Sequence, residues 1–248
     1  ENTTKKDLQN WYKSHYQPNN AVVIIAGNFD KDKVKMYIKK YYGSIKNQKY
    51  DISIAPSVEF ETKKFFEVYE DVSKPVIFLS FKKPKFNEEE MRQLYAFDLF
   101  LEIMDGGYSS RLTENLVNTQ KVALDTFISN DTYNEFPNLV IVGGTPRDNV
   151  KPIELKSHLL EQFSDESINT ITDEELSSAK ARIRANNIYK FDSVFYQAMQ
   201  VGMLETKDMS WKLLDDYYKI SESISLDEIK SAGKTYITGN EPLVTILR

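Results

Sequence analysis

The sequence has no cysteine and only two histidines among its 248 residues. The absence of thiols excludes disulfides, thiolate nucleophiles and cysteine-based zinc sites. The two histidines, His15 and His158, lie far apart in the sequence, and no His-x-x-Glu-His motif or its reverse occurs. A peptidase zinc site needs about three nitrogen or oxygen ligands, commonly two of them histidines one helical turn apart. We therefore predict no catalytic residue and no metal ligand in this chain.

Long apolar runs and a basic excess are also missing. The longest apolar runs, Ala21–Ala26 and Val76–Phe81, fall well short of the ~18 residues that cross a bilayer. The net charge is −5, and acidic and basic residues are mixed along the chain without the basic face that nucleic-acid binding requires. Glycine and proline are scarce while hydrophobic residues make up 41%, which is typical of a globular protein. We expect no membrane span and no nucleic-acid partner.

The first sixty residues are predicted to form a helix, a strand, a second helix and a connector. Apolar residues at helical spacing predict a helix over residues 4–16. The run Ala21–Ala26 is apolar and rich in β-branched residues, which predicts a buried strand. Asp30 can cap a second helix that ends at Gly43. Residues 44–60 are irregular and are expected to form a connector.

The middle of the chain combines strands with one strongly apolar helix. Asn87-x-x-Glu90 resembles a capping box that opens a helix over Met91–Met104. Because this helix has few polar positions, we expect it to be covered on most sides. The predicted strands of this region are Lys64–Glu70, Pro75–Lys82, Val122–Asn130 and Asn138–Gly144.

The last hundred residues are predicted to be mainly helical. Two of the predicted helices are Pro152–Phe163 and Trp211–Tyr218. Between them, the capping box Thr172-x-x-Glu175 opens a long helix that is expected to run past Tyr189. The capping box Ser225-x-x-Glu228 opens the last helix. A short strand at Pro242–Leu247 closes the chain. This order predicts an α+β fold, a two-layer sandwich in which helices pack on one mostly antiparallel sheet. We interpret residues 1–248 as one non-catalytic domain.

Several weaker candidates have simpler explanations. Ser109–Ser110 follows the pair Gly106–Gly107, but there is no Gly-x-Ser-x-Gly elbow, and capping a short helix to about residue 119 explains the serines. Neither this glycine pair nor Gly143–Gly144 has the spacing of a phosphate loop. The acid pairs Glu174–Glu175 and Asp215–Asp216 are typical of solvated helix N-termini.

One aromatic cluster allows two interpretations. Tyr189, Phe191, Phe195 and Tyr196 lie close together where the long helix is expected to break. They could form an edge that contacts substrate, but aromatic side chains more often pack in the core. We favour core packing and assign no substrate-binding residue.

Three segments together resemble a known family. The first runs from Asp7-Leu8 through Tyr16-Gln17-Pro18-Asn19-Asn20 into AVVIIAGNFD, and a helix ending in YYGSI follows. The second is Gly106-Gly107-Tyr108-Ser109-Ser110-Arg111-Leu112, and the third joins Val201-Gly202 and Trp211 to Ile224–Ile229 and Lys234–Ile237. In this order they resemble the second, inactive type of domain in insulinase/pitrilysin zinc metallopeptidases. The motif residues, expected to act structurally, are Tyr16, Pro18, Asn19, Gly27, Gly106, Gly107, Ser110, Arg111 and Leu112.

The resemblance implies a fold like that of LuxS and the mitochondrial processing peptidase. It also implies a parent of four similar α/β domains, on one chain or two, that enclose a chamber for peptide degradation. In the family another domain binds zinc through His-x-x-Glu-His and a distal glutamate. Zinc is therefore expected elsewhere in the parent and not in this chain. The implied partners are the other domains, or a paired subunit, and a peptide substrate.

One departure from the family pattern bears on function. Domains that complete the active site carry an arginine, and a tyrosine seven positions on, after this second motif; here those positions hold Val117 and Leu124. The chain therefore resembles the partner domain behind the zinc domain. The alternative is a non-peptidase scaffold or assembly subunit of the same fold, and an unrelated peptide-binding module is a third. Since Glu1 is not a methionine, we expect an excised piece of a larger protein, with the bacterial periplasm or envelope favoured by the resemblance alone.

Overall fold

The computed structural model describes residues 3–47, 64–83, 85–134, 136 and 138–248. Most of the connector predicted at 44–60 lies outside these residues. The chain divides into two compact units. The first unit comprises Glu1–Phe60 and Tyr189–Trp211, and the second comprises Glu61–Ile188 and Lys212–Arg248.

Five strands of the second unit form one sheet. The strands are β1 (Phe65–Val68), β2 (Val76–Lys83), β3 (Ala123–Ser129), β4 (Asn138–Pro146) and β5 (Leu243–Leu247). Their order is β1-β5-β2-β4-β3, and β1 pairs with β5 in parallel while the other pairs are antiparallel. All five lie where the alternation of apolar residues predicts strands, and the α+β class with a mostly antiparallel sheet is confirmed.

Nine α-helices lie among the described residues, some in each unit. They are α1 (Lys5–His15), α2 (Lys31–Tyr42), α3 (Met91–Asp105), α4 (Pro152–Gln162), α5 (Asp165–Asn169), α6 (Asp173–Phe191), α7 (Val194–Glu205), α8 (Leu213–Ser223) and α9 (Leu226–Gly233). Short 3₁₀ segments occupy Pro18–Asn20 and Glu88–Glu90, and π-helical segments occupy Thr113–Thr119 and Lys234–Thr238. No helix among the described residues is long and apolar enough to cross a membrane.

Local capping explains where several helices begin. In α9 the Ser225 side chain accepts from the Glu228 backbone N–H, and the Glu228 carboxylate accepts from the Ser225 N–H in return. The same reciprocal pair joins Thr172 and Glu175 at the start of α6. Each pair satisfies two of the N–H groups that a helix leaves unpaired at its start, so these two predicted capping boxes are confirmed. The third prediction, a box of Asn87 and Glu90, is wrong, because Asn87 Oδ1 accepts from Glu89 N at 3.1 Å and caps a 3₁₀ turn before α3.

The core of the second unit lies around α3. Leu94, Phe97, Leu99 and Phe100 are fully buried, and α3 packs against α8, α9 and β3 while α4 covers β2 and β4. Each fully buried side chain of this size contributes about 1.5–3 kcal/mol. The expectation that α3 is covered on most sides is therefore confirmed.

The first unit differs from its prediction at Ala21–Ala26. These residues belong to no strand of the described structure, and Val22, Val23 and Ile25 are 49%, 58% and 42% exposed. The prediction of a buried strand is therefore wrong for this chain. The physical reason is that a strand needs hydrogen-bonding neighbours on its edges, and the described residues provide none here.

Candidate functional site

The second family motif forms a tight loop directly after α3. Gly106 donates its N–H to the Glu102 carbonyl oxygen at 2.8 Å, and a methyl group on Gly106 would collide with that oxygen and with the Glu102 carboxylate. Gly107 has a φ of +153°, which side chains other than glycine rarely adopt. Both glycines are therefore required by the path of the backbone.

The residues after the glycines turn the chain back into the fold. The Tyr108 side chain is 96% exposed, whereas Ser110 and Leu112 are buried. The Ser110 hydroxyl donates to Thr113 Oγ1 at 3.3 Å, and its carbonyl accepts from Glu114 N at 2.9 Å. The serine thus starts the short helix predicted to end near residue 119, and that segment is π-helical.

Arg111 ties this loop to α5, to the turn after it and to the first turn of α6. Its Nε and Nη2 donate to the two carboxylate oxygens of Glu175 at 2.6 and 2.8 Å. Its Nη1 donates to the carbonyl of Ser167 at 2.9 Å and to Thr170 Oγ1 at 3.0 Å. This bidentate geometry is the strongest form of an arginine–carboxylate pair. Four of the five N–H donors of the guanidinium are thus used within the fold.

The Glu175 carboxylate links this ion pair to the start of α6. It also accepts from the Thr172 backbone N–H at 2.8 Å. Burial alone would raise the pKa of Glu175, but the hydrogen bonds from Arg111 and Thr172 lower the pKa below its ordinary value. The carboxylate is therefore ionised at neutral pH.

A second arginine ties α6 to the end of α3. Arg182 Nε donates to Glu102 Oε1 at 2.8 Å, and its Nη2 donates to the Glu102 carbonyl oxygen at 2.9 Å. The same carbonyl accepts from Gly106, so the glycine turn and the ion pair share one acceptor. The motif loop is therefore held from both sides.

A polar cavity of about 290 Å³ lies beside this loop. Its acidic lining residues are Asp98, Glu102 and Asp105, and Tyr217 completes the polar side. Burial raises the pKa of Asp98 to about 6 although Lys83 and two hydrogen bonds act in the opposite direction. Burial also raises the pKa of Asp105 to about 6, against a hydrogen bond from a backbone N–H.

The Asp98 carboxylate belongs to a network that spacing in the sequence does not reveal. It accepts from Asn130 Nδ2 at 2.7 Å and from the Thr132 hydroxyl. Buried Lys83 donates to Asn130 Oδ1 and to the Asp131 carbonyl, both at 2.9 Å. Burial lowers the pKa of Lys83, and the nearby acids offset part of that effect. The network joins α3, β2 and the turn between β3 and β4.

Raised carboxyl pKa values in a cavity are often a sign of proton-transfer chemistry. Here, however, each acid already serves the fold. Asp98 accepts hydrogen bonds from Asn130 and Thr132 in the turn between β3 and β4. Asp105 Oδ2 accepts from Ile128 N at 2.7 Å, and Glu102 pairs with Arg182. We therefore interpret this cavity as a place where structural contacts of α3 meet, and not as a catalytic site.

The first family motif lies in the first unit. Tyr16 ends α1 and stacks on the Tyr12 ring at 4.4 Å, while Pro18 and Asn19 form the 3₁₀ turn after it. Gly27 has a φ of +139° and follows the apolar run. The structural role predicted for the motif residues of both units stays a prediction that substitutions can test.

The described residues include no group of side chains that could form a zinc site. His15 Nδ1 lies 2.8 Å from Ser14 Oγ and 2.9 Å from the Trp11 carbonyl oxygen, and its ring stacks on Trp11 at 4.8 Å. His158 lies half-buried on α4. Among the residues that the structure describes, no three His, Cys, Asp or Glu side chains form a group that could hold a metal ion. The donor set therefore does not fit zinc.

The aromatic cluster at the end of α6 is mostly exposed. Tyr189 and Phe195 are 76% and 77% exposed, and Phe191 is also exposed. The prediction of core packing is wrong for these three rings, which flank the break between α6 and α7, whereas Tyr196 is half-buried. The acid pairs Glu174–Glu175 and Asp215–Asp216 do lie in the first turns of α6 and α8.

Comparisons with known proteins complete the description. The sequence profile of the peptidase M16 inactive domain matches residues 2–183. The zinc protease PqqE of Helicobacter pylori is 28% identical over 200 residues, which are 78% of this chain and 44% of that protein. A solved protease from Helicobacter pylori superimposes with a TM-score of 0.87 at 22% identity, covering 100% of this chain and 59% of its own.

The first half of the periplasmic protease PqqL from Escherichia coli is also similar, with a TM-score of 0.73 at 13% identity over 99% of this chain and 54% of that one. These two structural similarities concern the fold. The chain spans about half the length of the curated relatives it matches.

Proposed function

Because the chain belongs to the family of peptidase M16 inactive domains, we propose that it is the non-catalytic domain of a zinc-dependent metalloendopeptidase. In this proposal residues 1–248 act together as one domain that forms part of the wall of a peptide-degradation chamber. The observation that carries the proposal is the match of the inactive-domain profile over residues 2–183. The relatives named zinc proteases support it, since this chain spans about half of each.

Zinc is assigned to another domain of the parent, by which we mean the longer protein of which this chain is a part. The chain contributes no cysteine and two histidines, and His15 and His158 belong to different units. A peptidase zinc ion takes about three protein ligands and keeps one position open for water. We assign that centre, and the activation of water, to the domain that carries those ligands.

The contacts of Arg111 support a role in the chamber wall. A residue that holds the substrate backbone must present free donors, yet Arg111 uses four of its five N–H donors on Glu175, Ser167 and Thr170. Val117 and Leu124, the aligned substrate-binding positions of active-site domains, are apolar. The chain therefore encloses the peptide and selects it by access, while other domains bind and cleave it.

The partners in this proposal are the other domains of the parent, or a paired subunit, together with an unfolded peptide substrate. One structurally similar protein is named a periplasmic protease, so we place the parent in the bacterial periplasm or cell envelope. Fractionation of cells that produce the tagged parent tests this location. Recovery in the cytoplasm would refute it.

The test of function compares the full-length parent with the 248-residue chain on an unfolded fluorogenic peptide. We expect the parent to hydrolyse the peptide, to lose activity with a chelator and to regain it with zinc. We expect the chain alone to show neither hydrolysis nor stoichiometric zinc binding. Chelator-sensitive hydrolysis by the chain alone would overturn the proposal.

The same experiment separates the alternative, a non-peptidase scaffold or assembly subunit of this fold. A folded parent that binds no zinc and cleaves no peptide supports the scaffold. Enclosure has its own readout, because a chamber admits an unfolded peptide but excludes a folded domain. We expect the parent to cleave a peptide when it is free and to leave the same sequence intact within a folded host protein.

A further inference from the structure

The run Ala21–Ala26 has the composition of a buried strand but lies exposed. It is apolar at all positions, which is typical of a strand that is covered on both faces. Val23 is the most exposed of its large residues, at 58%. Unpaired backbone groups next to apolar side chains form a ready template for strand pairing. The run therefore has both the side chains and the free edges of a sheet strand.

One side of this run is already covered. Ile24 is half-buried, and a methyl group built on Gly202 of α7 would lie 3.5 Å from Ile24 Cγ1. Since successive side chains of an extended chain point to opposite faces, Val23 and Ile25 face away from α7. That second face has no cover among the described residues of the first unit.

The helices of the first unit also expose apolar faces. Leu8, Trp11 and Tyr12 of α1 are exposed, and together they line an open hollow of about 470 Å³. On α2, Tyr37 and Tyr41 are exposed as well. Among the described residues of this unit, the buried ones are Gln17 and Leu204. Most of the large apolar side chains of this unit are therefore left without cover among its described residues.

We propose that Ala21–Ala26 joins, as a β-strand, a sheet in another domain of the parent. The relatives are roughly twice as long as this chain, so they contain enough further chain to supply that sheet. A sheet fits better than a helix, because it satisfies the backbone of the run and covers the face of Val23 and Ile25. The identity of the partner rests on the proposed multidomain parent. The strand pairing itself does not depend on whether that parent cleaves peptides.

Amide hydrogen exchange in the full-length parent tests this pairing. We expect the amides of residues 22–26, either alternate ones or all of them, to exchange at least about 100-fold more slowly than in an unstructured peptide. Protection of alternate amides means an edge strand, and protection of all means an internal strand. Exchange at the unstructured rate overturns the proposal. Protection that disappears when a dimer is diluted to monomer also overturns it, because a second copy is then the partner.

Two matched substitutions identify the face that is covered. Val23→Asp places a carboxylate on the proposed buried face, and Asn10→Asp adds the same charge on the polar side of α1, where Asn10 is exposed. In the parent we expect Val23→Asp to reduce protection over residues 22–26 at least about tenfold and Asn10→Asp to leave it unchanged. Equal protection in both variants overturns the proposal. Retained protection in α3 shows that a variant is folded, and Val23→Thr replaces Val23→Asp if it is not.

Peptidase activity, measured on the same samples, keeps the two proposals apart. Protected amides in a parent without peptidase activity support the strand and refute the proposed function. Peptidase activity in a parent with unprotected amides refutes the strand and leaves the proposed function standing.

Discussion

Replacement of Arg111 by leucine tests whether the family motif acts structurally. The substitution replaces the aliphatic stem of Arg111 by another apolar group and removes all four hydrogen bonds that the guanidinium donates. It leaves the Glu175 carboxylate without its cation, although Thr172 N still donates to it. We therefore expect the Arg111→Leu chain to be less stable and to keep the same fold.

The expected loss follows from the burial of the pair. Removing one partner from a fully buried ion pair costs about 3–5 kcal/mol. The Arg111 and Glu175 side chains are 14% and 32% exposed, so water can solvate part of the remaining carboxylate. We expect a decrease of about 2–3 kcal/mol in the free energy of unfolding. Arg111→Lys keeps the charge but loses the planar fork, and about half of that decrease is expected.

Urea unfolding followed by far-UV circular dichroism measures these differences. Arg184→Leu is the matched control, because Arg184 forms a more exposed ion pair with Glu222, at 49% and 35%. Such surface pairs contribute about 0–1 kcal/mol. The reasoning is refuted if Arg111→Leu costs no more than Arg184→Leu.

The dependence on pH provides a second check. Because the pKa of Glu175 is lowered in the folded chain, its contribution to stability is fully present above its unfolded pKa. It is lost as the pH falls through the folded pKa. The difference between the wild-type chain and Arg111→Leu should therefore shrink in acid. A difference that stays constant down to the acid limit of folding contradicts the ion-pair explanation.

Five further substitutions, two of them controls, probe the rest of the second unit and the exposed rings. Gly107→Ala forces a side chain to a φ of +153° and should cost about 1–3 kcal/mol, whereas Gly239→Ala, at φ −74°, should cost less than about 1 kcal/mol in a urea titration. The pKa of Asp98 is raised to about 6, so the wild-type chain should gain stability relative to Asp98→Asn as the pH falls from 6 towards 4; parallel pH curves would contradict this. Phe97→Ala should cost about 3–5 kcal/mol, but Phe195→Ala, at an exposed ring, should change the thermal midpoint of the isolated chain little.

Local patterns in the sequence predict the second unit well. The capping boxes at Thr172 and Ser225 define helix starts through hydrogen bonds between residues three apart, which a single sequence contains in full. The apolar alternation that predicts β2 and β4 is equally local. The resemblance to insulinase/pitrilysin inactive domains is confirmed by the family profile and by relatives named zinc proteases.

The sequence reveals less about what covers an apolar segment. Ala21–Ala26 and the rings of Tyr189 and Phe195 are apolar enough to be buried, yet they lie exposed. Apolar composition indicates that a segment is stabilised by burial, but it does not indicate which part of the protein packs against it. The network of Lys83 and Asp98 was also missed. Its members come from separate elements, and their spacing resembles that of ordinary surface residues.

The division of the chain into two units has an optical consequence. Both tryptophans, Trp11 and Trp211, belong to the first unit, whereas the packed rings of Tyr95, Tyr133 and Tyr217 belong to the second. Indole fluorescence, excited where tyrosine does not absorb, therefore reports on the first unit, whereas far-ultraviolet dichroism, to which the helices of both units contribute, reports on the whole chain. Without any added label, the chain reveals whether its two parts melt together or in sequence.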